Sequence, residues 1–169
     1  MTRRLPRPEP IPPGPGQESA WDYPRPAICE PTPMKLTVVF AGRTIAESVR
    51  GFRVLETSHP PSYYLPPDDV APGVLEQAEG RSYCEWKGFA RYWSVRVGDE
   101  VAEAAAWSYP EPSPSFAAMR DYVSFYPQMM DACFVDGERV DPQQSGFYGG
   151  WATSHVVGPF KGPPGTELW

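Results

Sequence analysis

The chain has 169 residues, of which 41% are hydrophobic and 14% aromatic, enough apolar material to bury one core and to argue against global disorder. Its 15 Lys and Arg stand against 21 Asp and Glu, a formal net charge of -6. Arg3-Arg4 and scattered single cations make no basic patch, which disfavours nucleic acid and acidic membranes as partners.

Residues 1–17 read as a disordered, proline-rich tail. Ten of the 23 prolines fall in the first 33 residues, and Pro6, Pro8, Pro10, Pro12, Pro13 and Pro15 alternate with charges and glycine in a pattern that favours polyproline II and cannot support a helix. Proline follows Arg3-Arg4 where an export signal needs an apolar run, so no signal peptide is read there. No apolar stretch of about 18 residues predicts a spanning helix. Three cysteines without a close pair fit a reducing compartment, and the chain is expected to be cytoplasmic.

Residues 18–145 read as a single mainly β domain. Trp21 to Pro26 mixes aromatics with proline, an arm laid across the domain. Lys35–Phe40 and Arg43–Ser48 form a first hairpin around Ala41-Gly42. Phe52–Thr57 is a third extended run, and period 2 places Glu56 on the face of Phe52 and Val54. Ser58 to Pro61 breaks that strand, Ser62–Leu65 is extended again, Pro66 to Asp69 is loop, and residues 71–81 are expected to be irregular. Arg91–Val97 and Glu100–Trp107 flank Gly98-Asp99 in the clearest hairpin. Ser115 caps a predicted short helix through Tyr126, with Phe116, Met119, Tyr122 and Val123 at helical spacing. Ala132–Val135 and Glu138–Val140 flank Asp136-Gly137, a strong turn dipeptide. Residues 146–169 read as a Gly-rich C-terminal arm anchored by aromatics. Successive hairpins with one short helix predict an antiparallel small barrel or folded sheet.

Tyr83 to Trp93 crowds a thiol, a carboxylate, an ammonium and two phenols among rings. Lys87 near Cys84 would lower a thiol pKa and make a nucleophile, whereas an isolated cysteine among aromatics is also a common small buried hydrophobe. Lys87 is equally suited to bind an anion or to salt-bridge Glu56. Glu56 and His59 flank a strand end and read as an acid/base pair or as loop structure. Cys84, Cys133, His59 and His155 lack the close ligand pairs of a structural zinc site. Gly146 to Trp151 lacks the Lys-Ser/Thr of a phosphate loop and reads as turn structure. Neither a metal nor a cofactor is implied. Tyr64, Tyr92, Trp107 and Tyr109 suit either a small-molecule pocket or a core.

Four motifs together resemble the domain of unknown function 427 family: Glu56; Tyr63-Tyr64-Leu65-Pro66 before Asp69-Val70; Cys84 to Trp93; and Ala106-Trp107-Ser108-Tyr109-Pro110. Their order and spacing agree over about residues 35–140, with Glu85-Trp86 standing where the family usually has Pro-Phe or similar. The resemblance implies a small domain similar to the β-tent, Mss4-like architecture, without the two Cys-x-x-Cys zinc knuckles that other families place on it. It also implies that Glu56, Tyr64, Cys84, Lys87, Gly88, Tyr92, Trp107 and Tyr109 meet in one pocket. Two functions are weighed. One is a small-molecule-binding domain or enzyme with Tyr64, Tyr92, Trp107 and Tyr109 as walls and Glu56, Lys87, Cys84 and His59 as candidate catalytic groups. The other is a protein-interaction module whose proline-rich and Gly-rich arms recruit a partner or build a homodimer.

Overall fold

The computed structural model describes residues 3–169; residues 1 and 2 of the predicted tail lie outside the described residues. In chain order the strands are β1 (Glu18–Ser19), β2 (Ile28–Thr32), β3 (Leu36–Phe40), β4 (Arg43–Ser48), β5 (Gly51–Leu55), β6 (Ser62–Tyr64), β7 (Leu75–Cys84), β8 (Gly88–Val97), β9 (Glu100–Ser108), β10 (Val123–Phe125), β11 (Ala132–Val135), β12 (Glu138–Arg139), β13 (Asp141–Pro142), β14 (Trp151–Ala152) and β15 (Val156–Val157). Three antiparallel sheets carry the fold, ordered β10-β9-β8-β7, β12-β11-β3-β4 and β2-β5-β6, and none closes into a barrel. The folded-sheet expectation therefore holds and the barrel alternative does not. Among the described residues no helix is long and apolar enough to cross a membrane.

The hairpins follow from local chemistry. Along β3, Leu36, Val38 and Phe40 turn inward while Thr37 and Val39 lie half-buried, the period of a strand with one face on a core. Ala41 and Gly42 then both take positive φ, 52° and 71°, as do Asp136 and Gly137 at 48° and 81°, which matches the tight turns whose twist suits a hairpin. Leu36, Val38, Ile45, Tyr63, Leu65, Val95, Phe125 and Trp151 belong to the main core. A second cluster of Val54, Tyr64, Ala90, Trp107, Tyr109, Phe116 and Met119 lies between the β2-β5-β6 and β10-β9-β8-β7 sheets. Reciprocal 2.8 Å hydrogen bonds between Leu65 and Val123 stitch those two sheets together.

Three sequence expectations change. Residues 71–81 are not irregular throughout, because β7 starts at Leu75 and pairs with β8. Both faces of β7 are largely open, so Glu76, Glu79 and Arg81 erase the alternation that would have announced it, and Gly80, at φ 87°, sits in a register shift between Gln77 and Arg81. The predicted helix from Ser115 to Tyr126 is a 3-10 helix at Pro114–Met119 followed by β10. Phe116 and Met119, three residues apart, are buried in either helix type, but Asp121 at φ 63° ends the run and gives its N–H to the Tyr109 carbonyl at 3.1 Å. β2, which the sequence did not announce, carries Pro31 and is an edge strand, where a missing N–H is tolerated.

The two ends of the chain run side by side. β1 and β15 pair in parallel, Leu5 N–H bonds Gly165 O at 2.7 Å, Ile11 N–H bonds Gly158 O at 2.9 Å, and the Trp169 indole donates to Pro6 O at 3.1 Å. Arg53 pins β1 to the domain by pairing with Glu18 at 2.6 Å and Glu30 at 2.6 Å.

Candidate functional site

A cleft of about 190 Å³ opens beside the second core cluster, walled by the end of β5, the β7–β8 hairpin, the end of β9 and the chain around Gln143 to Gly149. Glu56 reaches it because it extends the Val54 face one step past the end of β5. Ser58, at φ 72°, then turns the chain so that the His59 N–H bonds the Glu56 carbonyl at 3.1 Å and the two side chains meet. Cys84 and Gly88 close the β7–β8 hairpin, and Lys87 stands in its turn. Gly88 has φ 105°, and a Cβ there would lie 3.1 Å from Glu111 O, so glycine is required where the turn backs onto the 111–113 loop. Ser113 braces the turn by donating its backbone N–H to Lys87 O at 3.1 Å and its hydroxyl to Trp86 O.

Opposite charges face each other across this space. Burial pulls the Lys87 ammonium toward neutrality, but its neighbours Tyr64, Cys84 and Glu56 outweigh it and hold Lys87 above the usual lysine range. Its Nζ lies 5.3 Å from the centre of the Tyr109 ring, a cation–π contact. Burial also acts on Glu56, upward, and is outweighed by the hydrogen bond from His59 and by the charges of Lys87 and Arg25, so its carboxylate sits below the usual range. The close contact of Glu56 runs to His59 Nε2, at 3.4 Å, and not to Lys87.

Gln143 decides which His59 nitrogen carries the proton. Its Oε1 accepts the Gly150 N–H at 3.1 Å and its Nε2 donates to Lys161 O at 2.7 Å, which fixes the orientation of the amide. Nε2 also lies 3.1 Å from His59 Nδ1, which must then accept, leaving Nε2–H to point at Glu56. Around these groups stand Trp107 and Tyr126, with ring centres 4.5 Å apart, Tyr92 bonded to Ser82 at 2.8 Å, and Tyr148 edge-on to His59 at 4.7 Å. Burial pushes the Tyr109 and Tyr126 phenols well above their ordinary range, so both stay neutral.

Of the residues singled out in the sequence, Glu56, His59, Cys84, Lys87, Tyr92, Trp107 and Tyr109 line the cleft together. Tyr64 does not line it: fully buried, it stands behind the wall and accepts the Trp107 indole N–H at 3.1 Å. Cys133 lies in the main core, and His155 lines a different cleft beside Glu18, so the four zinc candidates do not converge. Gln143, Tyr126, Tyr148 and Gly149 were not anticipated. The signal for this wall was Gly149-Gly150: a Cβ on Gly149 would overlap the Trp107 ring, and one on Gly150 would come within 2.5 Å of Pro60 Cγ and 2.6 Å of Gln143 Oε1. Consecutive glycines mark a close approach of backbone as readily as a turn.

Residues 28–136 match the family described as a domain of unknown function, DUF427. No curated protein matches the chain. The matched span holds Glu56, His59, Cys84, Lys87, Tyr92, Trp107 and Tyr109, while Gln143, Tyr148 and Gly149 lie beyond it.

Proposed function

The chain belongs to the DUF427 family, and from that premise we propose that it is a small-molecule-binding protein whose ligand occupies the cleft between the β7–β8 hairpin and the Gln143 to Gly149 wall. The observation that carries this reading is the presence of a charged carboxylate and a charged ammonium, Glu56 and Lys87, in one aromatic-lined cleft without an ion pair between them. Lys87 pairs with an anionic or carbonyl group, and Glu56 accepts a donor. A Schiff-base role for Lys87 would need a neutral amine, and its shift runs the other way, so Lys87 serves as an electrostatic anchor. Cys84 supplies wall surface and the one thiol in the cleft. Three free cysteines support a reducing, cytoplasmic setting.

Native mass spectrometry of the untagged protein, purified gently from its own cells, tests this. Extra mass that vanishes on denaturation is expected, and Lys87→Met should weaken its retention about tenfold, the value of one charge-assisted hydrogen bond. A bare mass, or a ligand held equally well by Lys87→Met, would refute the reading.

A further inference from the structure

Resting on the cleft reading, we infer that the ligand is a small amphoteric molecule, a single ring bearing both an anionic group, for Lys87, and a cationic or N–H donor group, for Glu56. The charges require the combination. Glu56 is close enough to raise the Lys87 pKa and Lys87 close enough to lower that of Glu56, so a simple anion placed on Lys87 would also feel the carboxylate, and a simple cation on Glu56 would feel the ammonium. A molecule carrying both signs turns each repulsion into an attraction.

The hydrogen-bonding capacity points the same way. Tyr109 holds the Lys87 ammonium through its ring face without using a donor, so N–H groups are left for an anion. On Glu56, His59 Nε2–H faces Oε2, which leaves Oε1 to accept from a ligand. Because Gln143 holds His59 Nδ1 as an acceptor, the imidazole N–H stays aimed at Glu56, and the carboxylate is presented as an oriented acceptor. Size and walls complete the description: about 190 Å³ is below the roughly 300–1,000 Å³ of sites for drug-sized ligands, and Trp107, Tyr92, Tyr126 and Tyr148 offer ring faces and edges to a planar group.

Isothermal titration of the full chain at neutral pH with three probes of one skeleton tests this: L-phenylalanine, 3-phenylpropanoate, which lacks the ammonium, and 2-phenylethylamine, which lacks the carboxylate. The amino acid should bind about tenfold or more tighter than either single-charge probe. Lys87→Met should cost the two carboxylate probes about tenfold and tighten the amine, whose repulsion it removes, and Glu56→Gln should do the reverse. If Glu56→Gln fails to fold, the ranking of the probes on the unaltered protein and on Lys87→Met decides. Equal affinity for the acid and the amino acid, or a native ligand of one charge sign, overturns the amphoteric class while leaving the cleft reading intact. Failure of all three probes together with a bare native mass overturns both.

Discussion

His59 has two ring nitrogens with different tasks, and their assignment can be measured. With selective ¹⁵N labelling of the chain's two histidines, His59 should show an unprotonated, pyridine-like Nδ1 and a protonated, pyrrole-like Nε2 above neutral pH; the reverse pattern would contradict the Gln143 geometry. A second residue-scale expectation concerns thiols. Cys84 lines the open cleft, whereas Cys133 is 1% exposed with its thiol pushed up to about 12 by burial, and Cys29, also raised by burial, points its thiol at Ser115 O. Iodoacetamide should therefore label Cys84 first, with Cys133 reacting only on unfolding, as read by peptide mass. Equal labelling of Cys133 in the native protein would disprove the placement. Much of this site is legible in the sequence, because Cys84 and Lys87 share one hairpin turn and Glu56 follows from strand period. Gln143 is not: it lies between Pro142 and Gln144, and only the long-range approach of Gly150 and Lys161 gives its amide a fixed orientation.

At the scale of elements, the wall from Gln143 to Gly149 is held by packing that leaves no room for a methyl group. Gly149→Ala would push against the Trp107 ring, and it lies 3.1 Å from Tyr126 as well, so it should destabilise by about 1–3 kcal/mol and weaken ligand retention, visible as a lowered denaturation midpoint and loss of the bound mass. An unchanged midpoint would mean that the wall yields. The same scale explains which elements the sequence announces. β3, β4 and β11 are legible because each carries inward apolar residues and meets a Gly turn, and β12 because it returns from the Asp136-Gly137 turn to pair with β11. β7 is not, since what makes it a strand is its pairing with β8 rather than any face it buries, and pairing leaves no period in a polar run. β10 is hidden differently: Val123, Ser124 and Phe125 are all buried, so no alternation separates a strand there from the end of the predicted helix.

For the whole molecule, the question is what the proline-rich N-terminal segment is for. A recruiting arm needs free backbone and side chains, yet Leu5, Pro6 and Ile11 are already bonded to Gly165, Trp169 and Gly158 of the chain's other end, and Arg7 lies 5.1 Å from the centre of the Trp21 ring. None of these residues lines the ligand cleft, and β1 is held separately by β15 and by the Arg53–Glu18 pair. Deleting residues 1–17 should therefore remove four long-range hydrogen bonds, those of Leu5, Pro6, Ile11 and the Gln17 amide to Ser154 O, and leave β1 in place. At a net 0.5–1 kcal/mol or so for each exposed bond, the loss is about 2–4 kcal/mol, or a melting temperature lower by roughly 4–16 °C in a chain of this length. The bound mass and the affinity for L-phenylalanine should survive the deletion. Loss of ligand with the melting temperature unchanged would show that the segment acts on the cleft itself, and loss of a bound polypeptide with the cleft intact would give the arm a recruiting role independent of it.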